Sequence, residues 1–83
     1  MSRDEITQVV LKHIRKNVIG LDGKTIDTSR SMLEMGASSL DVVEIVSASM
    51  RELKIKIART RLASLNNIDE LVDLFHEVKQ SAG

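Results

Sequence analysis

Cysteine is absent from this 83-residue chain. So are proline, tryptophan and tyrosine, and Phe75 is the only aromatic residue. Without cysteine there is no disulfide framework, no thiolate-held zinc or iron–sulfur centre, and no thiol nucleophile supplied by the protein. Neither sign of charge prevails: 12 Lys and Arg balance 12 Asp and Glu. A chain with no net positive charge lacks the electrostatic footprint of a general nucleic-acid binder. No run approaches the roughly 18 apolar residues that span a bilayer. The segment Met1–Glu5 has neither an apolar signal region nor a small-residue cleavage site, so a cytoplasmic location is expected. Length excludes a cleft framed by two lobes: 83 residues make a single domain, 1–83, with a core over about 3–79. What remains, 42% apolar and 29% charged residues, is the composition of an ordinary folded domain.

The periodicity is helical throughout. Ile6, Val9, Val10, Ile14 and Val18 share one face of a first helix, and Ser2 with Glu5 forms a capping box at its start. Gly20 and Gly23 end the pattern. Residues 19 to 37 read as a long loop, with Leu21 and Ile26 dipping into the core and a helical turn at Ser31–Met35 that stops at Gly36. Loops of this length are uncommon in small domains and are often functional. A second helix follows, capped by Ser38 with Asp41 at its third position, and Leu40, Val43, Val46, Met50 and Leu53 repeat at threes and fours along one face. Leu40 is expected to turn inward and pin the helix start. Lys54–Ile57 alternates, but no partner strand is evident, so it reads as an extended connector with Ile57 buried. Ala58–Leu65 is weakly helical, with Leu62 and Leu65 on one side and Arg59 and Arg61 on the other. Asn67–Glu70 reads as a capping box for a last helix with apolar face Leu71, Val72, Phe75 and Val78, and Gln80–Gly83 as a frayed tail. The expected fold is all-α: a four-helix bundle with three longer helices, a short third one and a long first loop.

Chemistry concentrates at Gly36-Ala37-Ser38-Ser39-Leu40-Asp41. Gly36 allows a tight turn, Ser38 caps, and Ser39 becomes the first helical residue. Its hydroxyl stands where unpaired backbone N–H groups and the positive end of the helix dipole favour a phosphate. Taken alone, the spacing is a weak signal, and two serines at a helix start more often do no more than cap it. A Ser-His-Asp hydrolase is disfavoured, because the two histidines, His13 and His76, sit in amphipathic helices and no Gly-x-Ser-x-Gly elbow is present.

Over about residues 3 to 79 the chain resembles the acyl carrier proteins of the phosphopantetheine-attachment family. The resemblance rests on Met35-Gly36-Ala37-Ser38-Ser39-Leu40-Asp41 and the following Val43-Glu44, in register with the Lys56-Ile57 connector, the short helix Arg59–Leu65 and the helix opening Asn66–Leu71. It implies a carrier-type four-helix bundle that is not an enzyme, with 4′-phosphopantetheine held covalently on Ser39. A phosphopantetheinyl transferase would supply the arm from coenzyme A with magnesium. The thiol missing from the protein would then come from the arm, which holds acyl groups as thioesters for separate loading, condensing and modifying enzymes. No metal of the chain's own is implied, and a monomer is expected.

Two departures stand out. The family carries Asp before the modified serine, where this chain has Ser38. Ordinary fatty-acid carriers are strongly acidic along the second helix, whereas Arg51–Arg61 here holds five basic residues against Glu52, balanced by a C-terminal segment with four acids and Lys79. Charge complementarity steers association, so the expected service is a specialised acyl, polyketide or peptide-type pathway rather than general fatty-acid synthesis. Interface candidates are Ser38, Leu40, Asp41, Val43, Glu44, Met50, Arg51, Arg59 and Arg61. A short acyl chain is expected to shelter among Val43, Val46, Leu62, Leu65 and Ile68. A peptidyl or aminoacyl carrier, or an unmodified helical adaptor, shares these features. The native-looking Met1 and short tail suit a free-standing protein.

Overall fold

The computed structural model describes residues 1–21 and 23–81. Its helices are α1 (Arg3–Asn17), α2 (Ser39–Leu53), α3 (Arg59–Ala63) and α4 (Ile68–Ser81), with a 3-10 turn at Leu33–Met35. The all-α expectation therefore holds over the described residues. α1 is the hub, packing on both α2 and α4. Its capping box is formed: Glu5 N–H donates to Ser2 Oγ at 3.2 Å and Ser2 N–H to Glu5 Oε1 at 3.1 Å. Ile6, Val9, Val10, Leu11 and Ile14 bury the inner stripe and join Ile45, Leu53, Ile68, Leu71, Val72 and Phe75 in one hydrophobic core, aliphatic but for Phe75.

The face that α2 buries agrees with the expected one at Leu53, and at Val46 and Met50 in part, but not at Leu40 and Val43. Ile45, Ala48, Ser49 and Leu53 are buried, Val42, Val46 and Met50 are half-buried, and Leu40 and Val43 are 81% and 62% exposed. Leu40 thus turns outward rather than inward. Apolar residues occupy more than half of this helix's circumference, so two faces satisfy the same spacing. Contact with α1 selects the one carrying Ile45 and leaves Leu40 and Val43 beside Ser39 in solvent. Ser49 is wholly buried, and its Oγ has no hydrogen-bond partner among the described residues.

The connector after α2 is extended, but Ile55 is its buried residue and Ile57 only half-buried. Lys54 adopts a left-handed conformation (φ 59°), so the chain reverses one residue past the helix and drops Ile55 inward. Lys79 Nζ, reaching across from α4, donates to Leu53 O at 2.9 Å and satisfies an end carbonyl of α2. α3 contributes no fully buried residue; Leu62 within it and Leu65 after it pack half-buried against the core. At α4, Asn67 Oδ1 accepts from Glu70 N–H at 2.8 Å, but Glu70 Oε2 receives the N–H of Asn66, not of Asn67, at 3.4 Å. The anticipated box is therefore displaced by one residue. Two further N–H groups at this end, of Ile68 and Asp69, donate to the long loop's carbonyls at Arg30 (3.1 Å) and Thr28 (2.8 Å). Within that loop Ile26 is buried and Leu21 half-buried, as expected. Of the expected frayed tail, Gln80 and Ser81 are helical, while Ala82 and Gly83 lie outside the described residues, as does Asp22 of the loop.

Candidate functional site

The site is built by a turn, a cap and a helix start. Gly36 closes the 3-10 turn at φ 102°, a left-handed conformation that disfavours any side chain even though a Cβ there would meet nothing within 4 Å. Its N–H donates to Leu33 O and that of Ala37 to Met32 O, which seats Ala37 in the core. Ser38 then caps α2. Its Oγ accepts from Asp41 N–H at 3.1 Å, and Asp41 Oδ2 accepts from Ser38 N–H at 3.0 Å. The serine that stands where the family carries Asp thus completes a full capping box. Asp41 is committed to this box and half-buried, while Glu44, one turn on, is exposed.

Ser39 follows as the first residue of α2, exposed, with no hydrogen bond from its hydroxyl among the described residues. The backbone N–H groups of Ser39 and Leu40 also have no acceptor there, since the cap serves Ser38 and Asp41. A free hydroxyl beside two unpaired N–H groups at the positive end of a 15-residue helix is suited to carry a phosphoester.

One turn along from Ser39, about 6 Å by helix rise, Val43 lines the mouth of a cavity of about 520 Å³. Met32 and Leu33 form one wall, Val46 and Met50 of α2 a second, and Ile57, Arg59, Leu62 and Leu65 a third, with Asn66, Asn67 and Leu71 closing the end. Of the residues anticipated as an acyl shelter, Val43, Val46, Leu62 and Leu65 line this cavity. Ile68 does not: it is wholly buried in the core beneath. Met50 is a cavity wall. Leu33, 58% exposed, joins Leu40 and Val43 as exposed apolar surface at this end of the molecule, and the sequence reading had passed it over because it lies in the loop.

The basic residues separate into two kinds. Arg61 is paired with Glu77 of α4 at 3.0 Å, whereas Arg51 and Arg59 are exposed and make no ion pair among the described residues. The histidines lie away from Ser39. His13 Nε2 meets Glu52 Oε1 at 2.8 Å, and Lys12 Nζ meets Glu52 Oε2 at 2.7 Å, so these hydrogen bonds, Lys12 first, hold the Glu52 carboxyl below its usual range. His76 meets Gln80. No group of three or more His, Asp or Glu able to hold a metal occurs among the described residues, and no helix is long and apolar enough to cross a membrane.

The model of the family described as the phosphopantetheine attachment site matches residues 9–75. The chain belongs to that family and is an acyl carrier. Its family's group is 4′-phosphopantetheine, and the unpartnered Ser39 hydroxyl, the two open N–H groups and the adjoining cavity fit it. This acyl carrier is 32% identical to the polyketide biosynthesis acyl-carrier-protein AcpK of Bacillus subtilis (strain 168) over 82 residues, 99% of this chain and 100% of that one. A chloroplastic acyl carrier protein of Brassica napus is 26% identical over 80 residues, 96% of this chain and 60% of that one. Among solved structures, it superposes with a TM-score of 0.82 and 31% identity on a chain of the curacin biosynthetic pathway HMG synthase in complex with acetyl donor-ACP, covering 90% of this chain and 96% of that one. Carriers of this family are generally non-catalytic and work in complex with biosynthetic enzymes, as that complex illustrates.

Proposed function

We propose that Ser39 bears the 4′-phosphopantetheine arm and that the carrier serves a specialised, polyketide-type pathway. The observation that carries the assignment is the position of Ser39: first residue of α2, exposed, with no partner for its hydroxyl among the described residues, behind a complete Ser38–Asp41 box. In modification the Ser39 Oγ loses its proton and forms the new O–P bond as the pyrophosphate P–O bond of coenzyme A breaks, releasing adenosine 3′,5′-bisphosphate. A phosphopantetheinyl transferase with magnesium carries out this step. The bound arm supplies the thiol on which acyl groups ride as thioesters. The chain's own residues hold the attachment point rigid, offer Leu40 and Val43 to partners, and provide the cavity beside them.

The whole-length likeness to AcpK supports a discrete carrier of a polyketide pathway. The likeness to the chain in the HMG synthase complex supports a finer reading, in which this carrier donates a short acyl group to an enzyme of that type. The carrier itself is read as non-catalytic, monomeric and cytoplasmic, with Glu44 and Arg51 as the charged part of its docking face.

The test is direct. Incubation with coenzyme A, magnesium and a broad-specificity transferase yields a mass gain of one phosphopantetheine, which Ser39→Ala abolishes and Ser38→Ala keeps. A gain retained in Ser39→Ala overturns the assignment. Loss of acetyl from the acetyl-loaded carrier on mixing with the curacin-pathway HMG synthase, weakened by Leu40→Asp, tests the finer reading.

A further inference from the structure

The cavity beside Ser39 has a chemical bias that a shelter for a plain hydrocarbon chain does not need. Its walls are mostly aliphatic, with the hydroxyls of Ser31 and Ser47 on the loop and α2 sides, but the side formed by α3 and the turn before α4 presents the strongest hydrogen-bond donors, Arg59, Asn66 and Asn67. Arg59 is the only charged lining residue and pairs with no acid among the described residues. Asn67 spends its Oδ1 on the Glu70 N–H at 2.8 Å, so its amide NH₂ is the part left for a ligand. The Asn66 side chain has no partner among the described residues. Among the described residues no carboxylate lines the cavity. Glu70, nearest to this end, turns its Oε2 to the Asn66 backbone N–H at 3.4 Å, and Glu34 on the opposite side is held by Arg30 at 3.6 Å. A purely aliphatic chain would strip water from these donors and return nothing, whereas an anionic end satisfies them. The guanidinium fork matches a carboxylate in both shape and charge.

We propose that, among cargoes long enough to reach into it, the cavity favours acyl chains ending in a carboxylate, with Arg59 as the specificity-determining residue and the Asn67 amide as its second donor; an acetyl group has no chain to place there and is carried without it. The proposal rests on Ser39 as the attachment point. Arg59 is exposed, so the carboxylate remains partly hydrated while the methylenes between it and the thioester lie against Val46, Met50 and Leu62. Arg61, tied to Glu77, has no part in it.

The test loads the chain through a broad-specificity transferase with succinyl-coenzyme A or butyryl-coenzyme A, two four-carbon acyl groups that differ in the terminal carboxylate. Mass spectrometry first verifies loading, and absence of any gain overturns both the Ser39 reading and this one. With loading verified, the Arg59 Nε–H resonance is followed by NMR. In the succinyl form it is expected to shift and to exchange with solvent on the order of tenfold more slowly, the protection expected of a charge-assisted hydrogen bond. The butyryl form leaves it unchanged. Arg59→Gln removes the difference between the two forms in the backbone shifts of Asn67 and Leu62, Arg59→Lys retains part of it, and Arg61→Gln retains all of it. Equal shifts for the two cargoes, or a succinyl response surviving in Arg59→Gln, overturns the proposal and leaves the carrier assignment standing.

Discussion

Replacing Ser38 with Ala isolates one half of the capping box. The substitution removes the Oγ that accepts from Asp41 N–H at 3.1 Å and leaves the reverse bond, Ser38 N–H to Asp41 Oδ2 at 3.0 Å, in place. Ser38 is exposed, so water takes over the freed donor and the loss is that of a cap, not of a buried polar group: about 1 kcal/mol. In a domain of this length that lowers the midpoint of thermal unfolding by roughly 4–8 °C. Ser38→Asp, which restores the family's residue, keeps the capping oxygen at similar strength. It also sets a second carboxylate against Asp41, so its stability stays within roughly 0.5 kcal/mol of the parent and rises with added salt. Calorimetry or urea titration of the unmodified chain reads these differences, and transferase-catalysed mass gain shows that Ser39 is still reached. An unchanged midpoint in Ser38→Ala would mean that the box contributes nothing to holding the helix start. A loss above about 3 kcal/mol would mean that Ser38 supports the core rather than the cap.

Ser49→Ala is expected to stabilise the fold by about 1 kcal/mol, since it removes a buried hydroxyl with no partner and adds helix propensity; a lower midpoint in urea would show that the hydroxyl has a function in the α1–α2 seam. Gly36→Ala costs about 1–2 kcal/mol through its positive φ alone, with space available for the methyl group, and the loss is measurable by thermal unfolding. Hydrogen bonds from Lys12 and His13 lower the Glu52 carboxyl in the folded state, so the native chain binds that proton less readily than the unfolded one. Stability from this cluster is therefore present above the ordinary value of 4.5 and fades as pH falls below it. Glu52→Gln flattens that part of the acid-unfolding profile, and an unchanged profile refutes the linkage.

Much of the fold was legible because local signals agreed with one another. Ser2 and Glu5 mark the start of α1, Gly36 and Ser38 the start of α2, and the i, i+3, i+4 repeats give four helices in order. The inner face of α2 was not legible, because apolar residues flank Ser39 on two sides and only packing against α1 decides between them. Ile55 took the place expected for Ile57 through the left-handed turn at Lys54, a conformation uncommon for lysine and not foreseeable from its neighbours. Within the site, Ser39 and its cap could be read directly, whereas Leu33 could not, since exposure of a loop leucine depends on how the loop is pinned. The difference between Arg61 and Arg59 also needed three dimensions: only the fold brings Glu77 to the first and leaves the second facing the cavity.

The two loop carbonyls that accept from Ile68 and Asp69 have a mechanical consequence. They tie the loop just before the Met32–Leu33 wall of the cavity to the start of α4 at Ile68 and Asp69, so these two sides are held to each other. The α2 wall is fixed by the core. The remaining wall, α3, has only half-buried leucines and one exposed ion pair, Arg61–Glu77, to hold it, and such segments are the first to open locally. Of the cavity's sides, α3 is therefore the one with the least buried surface to anchor it.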